Sequence, residues 1–260
     1  MSYRLLASDL DGTLLTVDNE IRDDVKQRLR ELFDDGVTIV LATGRMTNTV
    51  RKYTDDLWEG IIILSYNGAR IVMPDGTEVH NYVTQDQIRR IGRFCKRYDL
   101  YMQTYSPGTI YAKEMCPELT RDPDLVYSKF VAVDDFEKYD HGDSPKVLCV
   151  RFKDDINDIM KEMQEEFPDL FVTKSSSDLI EITKIGVDKA SALSYICDSL
   201  GIRREETVTI GDSMNDQPMV VWSDMGVAVA NADPRLKECA NMVTEKERTD
   251  GVLEAIDRLF

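Results

Sequence analysis

Leu5-Leu6-Ala7-Ser8-Asp9-Leu10-Asp11-Gly12-Thr13 is an apolar run that stops on two carboxylates two residues apart, beside a glycine. Successive side chains on a strand point to opposite faces, so positions 9 and 11 share a side if the strand continues. Two negative charges then stand within reach of one cation, and the pair asks for a metal. Alone, a D-x-D-G-T string also suits a surface turn, because Asp and Gly are turn formers. The rest of the chain decides between the two.

Outward from this stretch, residues 4–65 alternate apolar runs with helical patterns in a βαβαβ rhythm. The runs are Leu5 to Ala7, Val37 to Ala42 and Ile61 to Leu64, near-continuously apolar as parallel strands covered on both faces must be. Between the first two, Val25, Leu29, Leu32 and Phe33 fall at helical spacing, with Asp23 or Asp24 as cap and Gly36 as stop. The rhythm returns near the C-terminus. Ala190, Leu193, Ile196, Cys197 and Leu200 make a helical face ended by Gly201, followed by a strand from Thr207 to Ile210 and then Gly211-Asp212. Gly226 to Val229, a short helix from Pro234 to Ala240, Met242 to Thr244 and a helix from Gly251 to Phe260 complete it.

The middle has another texture. Thr84 to Gln87 is a capping box before a helix carrying Ile88, Ile91, Cys95 and Tyr98. Tyr101 to Ser106 and Thr109 to Glu114 alternate and join across Pro107-Gly108 as a hairpin. A polar stretch precedes a strand from Lys146 to Phe152, a helix with Ile156, Ile159, Met160, Met163 and Phe167, and strands from Leu170 to Lys174 and Leu179 to Thr183. The expectation is an α/β chain whose parallel-sheet core, residues 1–82 and 186–260, receives an inserted α+β domain at 83–185.

Composition narrows the function. Lys plus Arg (32) against Asp plus Glu (48) leaves a net charge of −16, and no basic cluster interleaves with aromatics, so nucleic acid and anionic membranes are excluded as partners. No run approaches the roughly 18 apolar residues that span a bilayer, and no secretion signal precedes the first strand, so the expected location is the cytoplasm. Five scattered cysteines, Cys95, Cys116, Cys149, Cys197 and Cys239, without a C-x-x-C spacing, read as reduced, mostly buried thiols. The expected state is a monomer or weak homodimer.

In a parallel sheet the ligand crevice lies at the carboxyl ends of the strands. There stand Asp9 and Asp11; Thr43-Gly44-Arg45; Ser65 and Asn67-Gly68; and Gly211-Asp212-Ser213-Met214-Asn215-Asp216. Asp212 can join Asp9 in holding a hard, oxygen-loving cation, and Mg2+ suits a few carboxylates with waters and a phosphate. Asp216, four residues on, turns back towards that metal as a ligand or as support for one. Thr43 and Gly44 offer a hydroxyl and an approachable N–H to a phosphate oxygen. Lys189, at a helix start, can bring a point charge to the same place, although taken alone it reads as a solvated lysine. His80 and His141, in polar contexts, read as surface residues.

This set, in order and spacing, resembles the haloacid dehalogenase superfamily, in its branch of Cof-type phosphatases. The resemblance runs through Asp9-Leu10-Asp11-Gly12-Thr13, Ala42-Thr43-Gly44-Arg45, Asn67-Gly68-Ala69, Lys189 and Gly211 to Asp216, over nearly the whole chain. Ala228-Val229-Ala230-Asn231-Ala232 and Thr249-Asp250-Gly251-Val252 resemble that branch too. The resemblance implies a Rossmann-like core with a C2B-type cap, and a Mg2+-dependent phosphatase for small phosphorylated metabolites, sugar phosphates first. It implies Asp9 as nucleophile, forming an aspartyl-phosphate, and Asp11 as the proton shuttle. Asp9, the Asp11 backbone carbonyl and Asp212 would hold Mg2+, while Thr43, Lys189 and Asn215 grip the phosphoryl oxygens and Asp216 steadies the metal shell or Lys189. The cap would exclude water and choose the substrate. Two departures are small: Ala190 stands where the branch has glycine, and Gln217-Pro218 starts the helix after Asp216. A sugar phosphomutase of the same fold and a non-catalytic phosphate-binding module are the competing readings.

Overall fold

Leu5–Ser8 (β1), Thr38–Ala42 (β2) and Ile62–Ser65 (β3) are the three apolar runs, and nearly every residue in them is buried, as strands covered on both faces require. The computed structural model describes residues 3–54, 57–115, 128–151, 156–176 and 178–260; Cys116 and Phe152 lie outside them. Helices Asp23–Asp34 (α1) and Thr47–Thr54 (α2) follow β1 and β2. The N-cap of α1 is Arg22, whereas Asp23 and Asp24 fill the first turn, where carboxylates suit the helix dipole.

Arg70–Val72 (β4) and Glu78–His80 (β5) extend the sheet edge beyond β3, with β4 antiparallel to it. The C-terminal part supplies Lys189–Leu200 (α5), Thr207–Gly211 (β12), Gln217–Trp222 (α6), Met225–Ala228 (β13), Pro234–Cys239 (α7), Met242–Val243 (β14) and Arg248–Leu259 (α8). The strand order is β14-β13-β12-β1-β2-β3-β4-β5, and the pairs from β14 to β3 are parallel. β1 therefore sits between β2 and β12, and the chain leaves it on both sides, so the carboxyl ends of these three strands form the switch-point crevice. The helix after Asp212 begins at Gln217 rather than near Asn215, and α8 begins three residues before Gly251.

The second unit, residues 46–49 and 80–187, has its own core. Gln85–Tyr98 (α3) starts at the Thr84–Gln87 capping box, where each side chain meets the other residue's backbone. Tyr101–Ser106 (β6), Thr109–Ala112 (β7), Lys129–Ala132 (β8), Val147–Val150 (β9), Leu170–Ser176 (β10) and Leu179–Lys184 (β11) form a sheet in the order β10-β11-β9-β6-β7-β8. Asn157–Glu166 (α4) packs with α3 on one core. β8 lies in the stretch that reads as polar, and it pairs parallel with β7, so hairpins do not account for the whole sheet.

Cys95, Cys149 and Cys197 are buried free thiols, and Cys239 is half-buried. Among the described residues no helix is long and apolar enough to cross a membrane. His80 is exposed, whereas His141 is half-buried. Its ring stacks on Tyr111 at 4.3 Å, and its Nε2 shares a 2.8 Å hydrogen bond with the Thr104 hydroxyl. Burial holds its pKa below the ordinary 6.5, against the pull of Asp140 and Asp143. The unfolded chain then binds the proton more readily, so this contribution to stability is complete above pH 6.5 and lost as the pH falls below it. Replacing His141 with Gln is expected to flatten the acid limb of the thermal unfolding midpoint between about pH 7.5 and pH 5.

Candidate active site

β1 ends at Ser8, and Asp9 keeps the extended backbone for one more step, donating its N–H to the Ile210 carbonyl of β12 at 2.9 Å. The chain then folds into a tight loop over Leu10–Leu14, closed by Leu14 N to Asp9 O (3.2 Å) and Leu15 N to Leu10 O (2.9 Å). Gly12 makes this possible. Its φ is +78°, and a Cβ there would stand 2.3 Å from Asp212 Oδ2. Because the strand stops, positions 9 and 11 do not present two carboxylates to one point as an extended strand would. Asp11 instead turns to Arg45, whose Nε donates to its Oδ2 at 2.7 Å while Nη2 meets Oδ1. Arg45 is buried and is held in turn by the Tyr53 hydroxyl at 2.9 Å and Asn19 Oδ1 at 3.2 Å.

The cluster that does form is Asp9, Asp212 and Asp216, each offering an oxygen within 4.8 Å of the others. Its centre is Lys189. Assigned to the site by the motif order although its own context suits a solvated lysine, it is fully buried at the start of α5, behind a capping box of Asp188 and Ser191. Its three N–H groups meet three acceptors: Asp9 Oδ1 at 2.6 Å, Asp216 Oδ1 at 2.5 Å and the Ala42 carbonyl at 2.8 Å. Asp216 Oδ2 accepts from the N–H groups of Asp212 and Ser213, both at 3.0 Å, so both its oxygens are occupied by protein. Asp212 Oδ1 accepts from the Thr13 hydroxyl at 3.1 Å.

Burial pushes the Asp9 carboxyl well above the usual carboxylate range, Asp216 adds to the rise, and Lys189 opposes it. Burial and then Asp216 raise Asp212 to about 6. For Lys189 burial acts downward, but the two carboxylates outweigh it and the ammonium is held charged. Three carboxylates around one ammonium leave an excess of two negative charges in a desolvated place. A divalent oxygen-seeking cation matches that excess in charge and in donor chemistry. Asp9, through the oxygen that Lys189 leaves, and Asp212 could hold it, with Asp216 beside them.

The other predicted residues gather at the same strand ends. Thr43 is buried, and its Oγ1 accepts from Arg45 N at 3.1 Å, which shapes the turn after β2. Gly44 lies against Asn67, whose Oδ1 would be 3.1 Å from a Cβ. Asn215 is exposed and donates from Nδ2 to Asn67 Oδ1 at 3.0 Å. Asn67 thus joins Gly44 to Asn215, and with Arg45 it is a residue to which the motif reading assigned no role. Their signal was position: both follow an apolar run at the edge where the carboxylates stand. Tyr66, Asn67 and Gly68 all have positive φ, and a Cβ on Gly68 would lie 2.3 Å from the Asp188 carbonyl. This strained turn presses on the residue before Lys189.

The family model for haloacid dehalogenase-like hydrolases matches residues 6–256. The chain belongs to that family. The Bacillus subtilis protein YxeH is 31% identical, over 99% of this chain and 98% of its own. A 5-amino-6-(5-phospho-D-ribitylamino)uracil phosphatase of the same organism is 28% identical, over 98% and 95%. A haloacid dehalogenase-like hydrolase from Bacteroides thetaiotaomicron superposes with a TM-score of 0.87 at 28% identity, over 100% of both chains. This haloacid dehalogenase-type chain is accordingly an enzyme of the phosphatase kind.

Two outcomes follow from the charge balance of its site. Replacing Lys189 with Met leaves Asp9 and Asp216 buried without a cation and is expected to cost roughly 3–5 kcal/mol in denaturant unfolding, more at alkaline than at acid pH. Asp212 binds its proton more tightly folded than unfolded, so the cation-free protein loses stability as the pH rises from 3.8 through about 6. In EDTA at neutral pH, Asp212→Asn is therefore expected to be more stable than wild type by about 1–2 kcal/mol, allowing for partial exposure, with the gain vanishing towards acid.

Proposed function

We propose that this chain is a Mg2+-dependent phosphomonoester hydrolase for small phosphorylated metabolites, with sugar phosphates the favoured class, working through an aspartyl-phosphate on Asp9. The observation that carries the reading is the division between the two aspartates of one loop. Asp9 is buried on Lys189, beside Asp212 and Asp216, whereas the Asp11 carboxylate stands half-exposed on Arg45. One is prepared to face a charged centre and the other to exchange protons.

An oxygen of Asp9 attacks phosphorus in line with the departing ester oxygen; the new O–P bond forms as the old one breaks. Asp11, once it has left the Arg45 guanidinium that holds both its oxygens in this structure, gives a proton to that ester oxygen, which leaves as an alcohol. It then takes a proton from water as the water oxygen attacks the phosphorus of the aspartyl-phosphate, releasing inorganic phosphate and restoring Asp9. Asp9, Asp212 and the Asp11 carbonyl would hold Mg2+, which when bound would supply the positive charge that lets a carboxylate approach a phosphate dianion. Lys189 has its three N–H groups engaged by protein, so it acts on the site by aiming Asp9 and by its charge. Thr43, Gly44, Lys189 through its charge, and Asn215 are the groups assigned to the phosphoryl oxygens, with Asn67 holding the last in place.

A panel of phosphorylated metabolites and an aryl phosphate, assayed for phosphate release with Mg2+ and with chelator, tests the reading. Release is expected with Mg2+ and not with chelator. Isomerised sugar phosphate without free phosphate would instead identify a mutase. Asp9→Asn should abolish turnover while the far-UV spectrum stays unchanged, and Asp11→Asn should lower kcat by about 10²–10⁴-fold. Undiminished turnover in Asp9→Asn overturns the nucleophile assignment.

A further inference from the structure

The hydrolysis above uses no group from the two closing stretches, Ala228 to Ala232 and Thr249 to Val252, yet both reach the nucleophile loop. Asn231 is half-buried and works at both ends of its amide. Its Nδ2 donates to the Gly12 carbonyl at 2.8 Å, and its Oδ1 accepts from Arg248 N at 2.7 Å. Arg248 presents that N–H from the left-handed region, at φ +46°, a conformation that persists only where the surroundings over-determine it. The next residue, Thr249, donates from its hydroxyl to the Leu14 carbonyl at 3.1 Å. Two residues past Asn231, Asp233 donates its N–H to the Asp212 carbonyl at 2.8 Å.

One short segment therefore grips the backbone of both places that supply carboxylates to the cluster. The loop's own two hydrogen bonds end at Asp9 O and Leu10 O and leave the peptide between Gly12 and Thr13 to be oriented from outside. That peptide carries Thr13, whose hydroxyl holds Asp212. We propose that Asn231 is a positioning residue for the reaction: by fixing the Gly12 carbonyl it aims the Asp11 carbonyl and, through Thr13, the Asp212 carboxylate at the divalent cation that Asp9 shares. An amide suits the task because it donates and accepts at once across the distance between the two chains.

The inference rests on the cation reading above, and the experiment separates the two. Mg2+ is titrated against the thermal unfolding midpoint of wild type, Asn231→Ala and Asn231→Asp, alongside kcat and KM for an aryl phosphate. Asn231→Asp keeps the acceptor for Arg248 N but offers nothing to the Gly12 carbonyl, so the turn at Arg248 is preserved if the alanine variant fails to fold. Both variants are expected to hold their EDTA midpoint within a few degrees. Both should need roughly 10–100-fold more Mg2+ for half the thermal shift and lose a similar factor in kcat, with KM nearly constant. For Asn231→Asp this would occur despite an added negative charge, which by itself draws cations closer. Wild-type Mg2+ midpoint and kcat in both variants overturn the proposal, as does a kcat loss that merely tracks the EDTA midpoint. A wild-type protein indifferent to Mg2+ overturns the cation reading beneath it.

Discussion

A single ammonium buried among three acceptors organises this site. Lys189 reaches back from the start of α5 to two carboxylates from opposite ends of the chain and to a carbonyl at the end of β2. No pair of these groups is tolerable there without the third. The carboxylates would face each other desolvated, and the ammonium would lose its charge. The interaction ties β1, β2, the turn after β12 and α5 together at one sheet edge. Its cost in solvation is met because each N–H has a partner and because the surrounding strands are buried along both faces.

The same logic leaves the site short of positive charge. Three carboxylates and one lysine cannot be balanced from within, and burial raises Asp9 and Asp212 as a consequence. A structure optimised only for stability would replace one of these acids. Retaining all three stores an electrostatic debt that a divalent cation would remove, so the feature that weakens the protein without a cation is the one that would favour binding one.

Asp11 shows how far two residues can separate chemistry. Its neighbour in the motif is buried at a strand end, whereas its own carboxylate swings across to Arg45, and Tyr53 and Asn19 hold that guanidinium. The divergence arises because the strand ends at Ser8 and the chain curls from Leu10, between the two aspartates, before the left-handed Gly12 turns it again. Its lack of a side chain also lets Asp212 come close. The loop is then secured from the far end of the sequence, by Asn231 and Thr249, because it has few hydrogen bonds of its own.

Much of the core was legible in the chain itself. The apolar runs of β1, β2, β3 and β12 announced buried parallel strands, and the Thr84–Gln87 box announced α3, because hydrophobic period and capping are local properties. The carboxyl-edge rule likewise brought Asp9, Thr43, Gly44, Asp212 and Asn215 to one side of a sheet. Beyond the reach of local pattern were β8, a short four-residue strand in a mostly polar stretch that pairs with β7, and His141, whose polar neighbours hide its stacking on Tyr111. Lys189 is the clearest division between the two levels. Its residue type and place at a helix start are written in the sequence, but whether a lysine is solvated or buried depends on which groups surround it. Asp9 and Asp216, one at the first strand and one after the twelfth, meet it only when the sheet closes.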